Sequence, residues 1–546
     1  MLDAIKERGG YVMRKQLVLA LCAAMLLTAC SSGGGDATTV AAGADTTAAA
    51  GDSAGETTGE TTGEAAPTGA AASSTGNVKD TIVIANEAEP TSLDPACGNG
   101  LSVNLVDNLI YDSLVDRDQE GNILPRLATE WEFIDDTHIQ FKLREDVVFS
   151  NGNPFTASDV IFSLNRTLDE PTALSTMVWY SPDESSVVDD HTVIVGMHEP
   201  YAAALYVLAG GRTWIGDEET ITEMGADAHA RMPVGTGPYK LTEWVSGSSL
   251  SLTANENYWG EQPATPNVRI NVIAEPNNRV IALETGEADQ ALYVSGSDID
   301  RVNAIDGYRI EQGPSEKYYL ITMAMDCEKF SDIRVRQALC YALDKNALVA
   351  GSFDGGAHVL NGYYPSMVEG FKDFGEWEYD PQKATELLNE AGATGLELEL
   401  HILPGTEYQR MAQIVQAYWE AVGIKVNIEQ SALATREAQG PWETSIRIAT
   451  ADEISNILII YEKEFGSRLA PNDDHLDSML KELKTIYDTD ERLALEEEIQ
   501  DYLDEIRFSI PFAEVDTIYG VSDKIENYVY DRRIDRQNIV DWVVYE

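Results

Sequence analysis

Phe141-Lys142-Leu143-Arg144-Glu145-Asp146-Val147-Val148-Phe149, followed by Asn151-Gly152-Asn153-Pro154-Phe155-Thr156-Ala157-Ser158-Asp159-Val160, is the stretch on which the reading of this chain turns. Residues 138–143 (His-Ile-Gln-Phe-Lys-Leu) run into it and alternate, the pattern of an antiparallel strand with one wet face. Asn151-Gly152-Asn153-Pro154 is a turn. Thr156 then opens a helix, with Asp159 at capping-box spacing and Val160, Ile161 and Leu164 on its inner face. Strand, turn and capped helix in succession predict mixed α/β organisation.

The same grammar extends both ways. Upstream, Asp80–Ala85 reads as a strand entering the turn Pro90-Thr91-Ser92-Leu93-Asp94-Pro95. Downstream, Gly235-Thr236-Gly237-Pro238-Tyr239 lacks G-x-G-x-x-G spacing and no Gly-Lys-Ser/Thr follows, so it reads as a turn and not a phosphate loop. Strand Tyr239–Val245 and its hairpin partner Ser249–Ala254 follow it. Asp332–Val349 carries Val335, Ala338, Leu339, Ala342 and Leu343 at helical spacing, predicting one helix with a buried stripe. Asp380-Pro381 caps a second helix that stops at Gly392, and Met411 to Val422 form a third, ended by Gly423 before strand Ile424–Ile428. Residues 474–505 read as a long acidic helical region whose Glu496-Glu497-Glu498 run is a solvated face.

The chain has 546 residues, long enough for two to four domains, with 92 acidic and 38 basic side chains and a net charge of −54. Its densest basic cluster, Arg532-Arg533-Ile534-Asp535-Arg536, is interrupted by acid, so a nucleic-acid backbone would be repelled. The seven histidines (138, 191, 198, 229, 358, 401 and 475) show no metal-ligand spacing. There is no G-x-S-x-G, no S-x-x-K beside a partner motif and no zincin signature, so neither a hydrolase nor a bound cofactor or metal is indicated.

The N-terminal region reads as an export signal. From Met13, Arg14-Lys15 precede an apolar run from Leu17 to Leu27, and Thr28-Ala29-Cys30 follow. Leu27-Thr28-Ala29-Cys30 resembles the bacterial lipobox, which implies cleavage after residue 29 and a diacylglyceryl anchor on Cys30. Residues 31–77 lack aromatics and carry six acids and no base, so they are expected to be a disordered tether spanning about 35–40 Å. The mature chain would hold 34 bases and 90 acids, a net −56. With Cys30 lipidated, Cys97, Cys327 and Cys340 remain; Cys327 and Cys340 are the better disulfide pair, with free buried thiols as the alternative.

Four blocks resemble the extracytoplasmic solute-binding proteins of family 5, the peptide, oligopeptide and nickel receptors of ABC importers. The first is Leu127-Ala128-Thr129-Glu130-Trp131-Glu132 with the stretch at 141–160. The second is Pro233–Tyr239 with Asn257-Tyr258-Trp259-Gly260. The third is Phe330–Leu339 with Tyr341-Ala342-Leu343-Asp344, and the fourth is Tyr379–Ala384 with Leu387–Gly392. They occur in the family's order across about 450 residues.

This resemblance implies a two-lobed periplasmic-binding-protein-like fold (type II) with an extra subdomain in the first lobe. Lobe I would comprise residues 78–113, 233–311 and 508–546, the subdomain 114–232, and lobe II 312–507. It also implies a monomer outside the cell membrane that captures a peptide or other small solute and serves a permease and ATPase complex.

In peptide receptors of this family an Asp, on an Asp-Pro-Asp loop after a Trp-bearing strand, meets the ligand's ammonium. This chain departs there, reading Ala449-Thr450-Ala451-Asp452-Glu453-Ile454. Asp452 or Glu453 becomes the candidate, a solvated loop acid being the alternative. Arg410 resembles the carboxylate-binding Arg of dipeptide receptors, or is a surface helix residue. Cys97-Gly98-Asn99 matches a cleft-lining loop, though Cys97 also suits a buried structural thiol. Tyr319, beside Tyr318 near the expected hinge, is a ligand-platform or core candidate. The same fold accepts nickel chelates, opines and sugars, and a sensor without transport would read alike.

Overall fold

The hairpin and capped helix at 138–169 form as their sequence dictates. We analysed a computed structural model, which describes residues 77–97, 101–170, 177–211, 213–431, 442–450, 473–531, 533 and 536–546. Cys30, the tether, Gly98, Asn99, Asp452 and Glu453 lie outside them. In chain order the first elements are β1 (Thr81–Asn86), α1 (Leu101–Ile110), β2 (Val115–Arg117), β3 (Ile123–Pro125), β4 (Ala128–Asp135), β5 (His138–Leu143), α2 (Ala157–Asp169), β6 (Tyr180–Asp189) and β7 (Thr192–Met197). At the start of α2 the Asp159 carboxylate accepts from the Thr156 amide at 2.8 Å, the reciprocal half of a capping box. Sheet β4-β5-β7-β6 packs its apolar face on α2, enclosing a core that includes Phe141, Phe149, Val160, Leu164 and Trp179.

Next come β8 (Tyr239–Val245), β9 (Ser249–Ala254), β10 (Asn267–Val272), α3 (Pro276–Glu284), β11 (Gln290–Ala291) and β12 (Tyr308–Met323). The Gly235-Thr236-Gly237 turn packs on the end of α1: the Gly237 amide donates to the Ile110 carbonyl at 2.8 Å. A Cβ on Gly235 would fall 2.1 Å from that carbonyl oxygen. The glycines are there for close backbone approach.

The remainder is α4 (Ile333–Tyr341), α5 (Lys345–Phe353), β13 (Ala357–Val359), α6 (Pro381–Glu390), β14 (Glu397–Ile402), α7 (Thr406–Ala421), β15 (Lys425–Gln430), β16 (Thr444–Thr450), α8 (Asp474–Leu483), α9 (Thr489–Ile506), β17 (Ser509–Ser522), β18 (Ile525–Glu526) and β19 (Val543–Val544). The expected helix at 332–349 and the expected helical region at 474–505 are each divided by an internal cap. Asp344 accepts from the Ala347 amide at 2.9 Å and starts α5, so 332–349 is not one helix. Asp488 accepts from the Glu491 amide at 3.0 Å and divides the 474–505 region. Glu496 is also not on a solvated face. It is buried and receives Arg492 at 2.7 Å, leaving Glu497 and Glu498 to the solvent.

One large mixed sheet runs β15-β14-β16-β12-β17-β11-β1-β10-β9-β8, with β13 added on β17. Its β15-to-β12 end packs against α4, α5, α6 and α7 around Phe330, Leu339, Met411 and Trp419. Its β11-to-β8 end encloses Ile82, Ile84, Tyr239, Leu250, Ile270 and Trp542. Among the described strands, only β12 and β17 run from one end of the sheet's packing to the other. No helix among the described residues is long and apolar enough to cross a membrane.

Cys97, Cys327 and Cys340 are free thiols, so the Cys327–Cys340 bridge does not form. Cys340 packs inside the larger core, where burial pushes its thiol up to about 12, and a core of that size holds without a covalent staple.

Candidate ligand-binding cleft

β12 and β17 pair from Tyr308↔Ser522 to Pro314↔Asp516, and again from Tyr318↔Glu514 onward. Between these blocks Ser315, Glu316 and Lys317 stand against Val515 alone, which makes a bulge. Ser315 Oγ ties the bulge down by donating to the Val515 carbonyl at 2.6 Å. The bulge lies where the chain passes between cores, and it carries two adjacent charges. Glu316 is buried and pairs with Arg117 of β2 at 2.9 Å, while Arg533 donates to the Arg117 carbonyl.

Lys317 is in register with Thr450, the last residue of β16. Its Nζ lies 5.2 Å from the centroid of the Tyr293 ring, a cation–π contact. Burial lowers its pKa from the ordinary lysine value, opposed by Glu87, just after β1, and by Glu407 in the first turn of α7. Tyr293 is held in place. Its φ of 53° is left-handed, a conformation costing a bulky residue about 1–3 kcal/mol. Arg279 of α3, 1% exposed, fixes it: Nη2 donates to the Tyr293 carbonyl at 2.7 Å and Nε to the Leu292 carbonyl at 2.8 Å. Its Nη1 reaches the Ile273 and Ala274 carbonyls at 2.8 and 2.9 Å.

Two of the residues read from the sequence are tied to α7. Tyr319, 3% exposed, packs among Phe353, Tyr408 and Phe512, and its hydroxyl donates to Glu407 at 3.0 Å. Arg410, one turn along α7 from Glu407, pairs with Asp354 at 2.9 Å and donates to the Ser352 carbonyl at 3.3 Å. Cys97 lies near Asp94 and Glu170. Burial and those two acids push its thiol up to about 12, so it is no nucleophile at neutral pH. Sequence reading missed Lys317, Tyr293 and Arg279. The one available signal was the charged pair Glu316-Lys317 immediately before the apolar run Tyr318-Tyr319-Leu320-Ile321.

A crevice runs from the bulge between the 114–215 core and the helices before β17, lined by Arg117, Tyr206, Glu316, Glu369, Arg492 and Arg533. Its free volume, measured to the centre of a water-sized sphere, is about 20 Å³, room for about one or two waters. Beyond it the Tyr487 hydroxyl donates to the Asp136 carbonyl at 2.8 Å, and its ring lies 4.5 Å from that of Phe133. Among the described residues no group of three or more His, Cys, Asp or Glu is placed to hold a metal.

Two cores joined by a pair of long strands, with a third core inserted in the first, define a two-lobed receptor of the type II periplasmic-binding-protein class. The fold matches HbpA2 from Haemophilus parasuis with a TM-score of 0.76 at 22% identity, covering 85% of this chain and 100% of that one. It matches DppA from Helicobacter pylori, solved with the peptide STSA, with a TM-score of 0.71 at 22% identity, covering 85% and 98%. Residues 122–455 fit the family described as bacterial extracellular solute-binding proteins, family 5 Middle, and the chain belongs to that family. The glutathione-binding protein GsiB of Escherichia coli is 29% identical over 378 residues, 67% of this chain and 73% of its own. The protein is therefore an extracytoplasmic solute-binding receptor of the ABC-importer type, and the family's work is binding and release, not catalysis.

Proposed function

We propose that this receptor captures short peptides, glutathione among them, in the cleft beside the β12 bulge and hands them to a membrane permease and ATPase as a monomer. The observation that carries this reading is the likeness to a glutathione-binding protein across two thirds of the chain. A peptide's backbone groups suit a wall of strand ends, where main-chain hydrogen bonds are independent of sequence. Asp452 or Glu453, which follow Thr450 in sequence, serve the ligand's ammonium. Cys97, Gly98 and Asn99 line the lobe I side, and Tyr319 supports the opposite wall through Glu407. Arg410 serves a carboxylate by exchanging its exposed partner Asp354. Cys30 carries the lipid that holds the receptor at the membrane, with residues 31–77 as tether.

Calorimetric titration with glutathione and with di-, tri- and tetrapeptides tests the reading. Binding of at least one peptide in the μM range or tighter is expected. N-acetylated versions should bind at least tenfold worse, because truncating one partner of a buried charge pair costs about 2–5 kcal/mol. Silence with every peptide, together with binding of a nickel chelate, opine or sugar, would overturn it. Release of Cys30→Ser protein into the medium tests the anchor.

A further inference from the structure

Near the seam between the cores several cations are matched to acids, while Arg279 is held by backbone carbonyls. Arg117 meets Glu316, Arg492 meets Glu496 and Glu369, Arg533 meets Asp531, Arg536 meets Asp116 and Arg410 meets Asp354. Lys317 is the exception: among the described residues its Nζ has no hydrogen-bond or ion-pair partner, only the Tyr293 ring at 5.2 Å. This is no shortage of carboxylates in a chain with 92 acids and 38 bases. Glu87 and Glu407 both attract the ammonium, yet neither forms an ion pair with it within 4.0 Å. A partly buried ammonium without a carboxylate is under-satisfied, and a ligand carboxylate that reached it would form a charge-assisted hydrogen bond.

The flanking acids restrict what kind of carboxylate that is. A bare anion would gain Lys317 and be repelled by Glu87 and Glu407, whereas an ammonium on the next carbon would turn both repulsions into attractions. We infer that Lys317, Glu87 and Glu407 together receive an α-amino-acid head, carboxylate on the Lys317 Nζ and ammonium toward the two glutamates. This rests on the peptide reading above and narrows it: for a ligand with such a head, Glu87 and Glu407 take the ammonium in place of Asp452 or Glu453. An ordinary peptide separates its ammonium and carboxylate by its whole length, about 3.3 Å or more per residue. A γ-glutamyl peptide keeps both on one carbon, so the site favours γ-linked over α-linked peptides. Arg279 contributes by holding Tyr293 in its left-handed conformation under the ammonium.

Two isomers test this, γ-Glu-Cys-Gly (glutathione) and α-Glu-Cys-Gly, which share composition and net charge and differ only in the head. Titration calorimetry on the full-length wild type should give at least tenfold tighter binding of the γ-isomer. Lys317→Met should erase that preference, and Lys317→Arg should restore part of it, with circular dichroism confirming that each variant is folded. An N-(1-carboxyethyl) amino acid, which is not a peptide, carries the same pairing of nitrogen and carboxylate on one carbon. Its binding in a Lys317-dependent manner, with both peptides silent, would leave the inference standing and remove the peptide reading. Equal affinity for the two isomers in the wild type would overturn the inference without needing any variant. So would a preference that survives Lys317→Met, a loss confined to Arg410→Met, or binding of none of the three probes.

Discussion

Arg279 offers the sharpest test of how the site is built, because it supports the cleft without facing it. Its guanidinium donates to four backbone carbonyls, at Ile273, Ala274, Leu292 and Tyr293, at 2.7–2.9 Å. Replacing it by Met removes all four bonds. Ala274 is exposed and Ile273 half-buried, so their carbonyls return to water at little cost. The Leu292 carbonyl sits in a residue 1% exposed and the Tyr293 carbonyl sits beside it, and an orphaned buried acceptor costs about 1–3 kcal/mol. Arg279→Met should therefore destabilise by ~2–5 kcal/mol. Over the 470 residues of unit 77–546, an unfolding entropy near 2.1 cal/mol/K per residue makes 1 kcal/mol worth about 1 °C. A thermal scan should then show Tm lower by about 2–5 °C, and by about half that for Arg279→Lys, which keeps the charge and loses the planar fork. The same variant frees Tyr293 from φ 53°, so glutathione should bind several-fold more weakly although Arg279 does not face the cleft. An unchanged Tm would refute the four-carbonyl account, and a lowered Tm with unchanged affinity would refute the claim that Arg279 positions Tyr293.

Three further outcomes are expected. Asp112 accepts from Arg126 at 2.6 Å, Thr236 at 2.8 Å and Trp259 at 2.9 Å, so Asp112→Ala should cost ~3–5 kcal/mol by guanidinium denaturation, and Asp112→Asn less. Burial holds Lys345 down at about 7 against an ordinary 10.5, so the unfolded chain binds the extra proton between those values. Stability from this group is complete above 10.5 and lost as pH falls through about 7; wild-type Tm should rise from pH 7 to 9 relative to Lys345→Met, and parallel curves would refute the assignment. Cys97 and Cys340, both pushed up to about 12, should resist iodoacetamide at pH 8 in the native protein, while unfolding exposes three alkylatable thiols within residues 77–546.

Much of the fold was readable because local and global preferences agree. The alternation at 138–143 and the hairpin 239–254 gave strands at those residues, since period two leaves a half-buried strand no other register. Internal caps were harder. Asp344 and Asp488 sit within continuous helical periodicity, and only their backbone geometry turns an ordinary acid into a helix start. Glu496 misled for a related reason: a run of three acids looks solvated, yet every fourth residue of a helix shares a face, and Arg492 made that face a buried pair. The cleft was legible only through resemblance. Arg410 came from a resembling position and Tyr319 from its place near the expected hinge, but Lys317 depends on a bulge, on a left-handed Tyr293 and on Arg279 of another element, none of which leaves a pattern in sequence.

The overall charge of −54 and Lys317 act at different ranges and ask different things of a ligand. At physiological ionic strength the surface field decays over about 8 Å, so it acts on approach and favours whichever end of a solute is positive. Inside the cleft, screening by mobile ions fades and individual groups decide. A simple cation would be drawn in and then meet the Lys317 ammonium; a simple anion would be turned away before reaching it. A solute bearing both charges on one carbon satisfies both stages, since its ammonium faces the acidic approach and its carboxylate meets the unmatched base. Lys317, which has no hydrogen-bond or ion-pair partner among the described residues, then discriminates among the ligands that the long-range field admits.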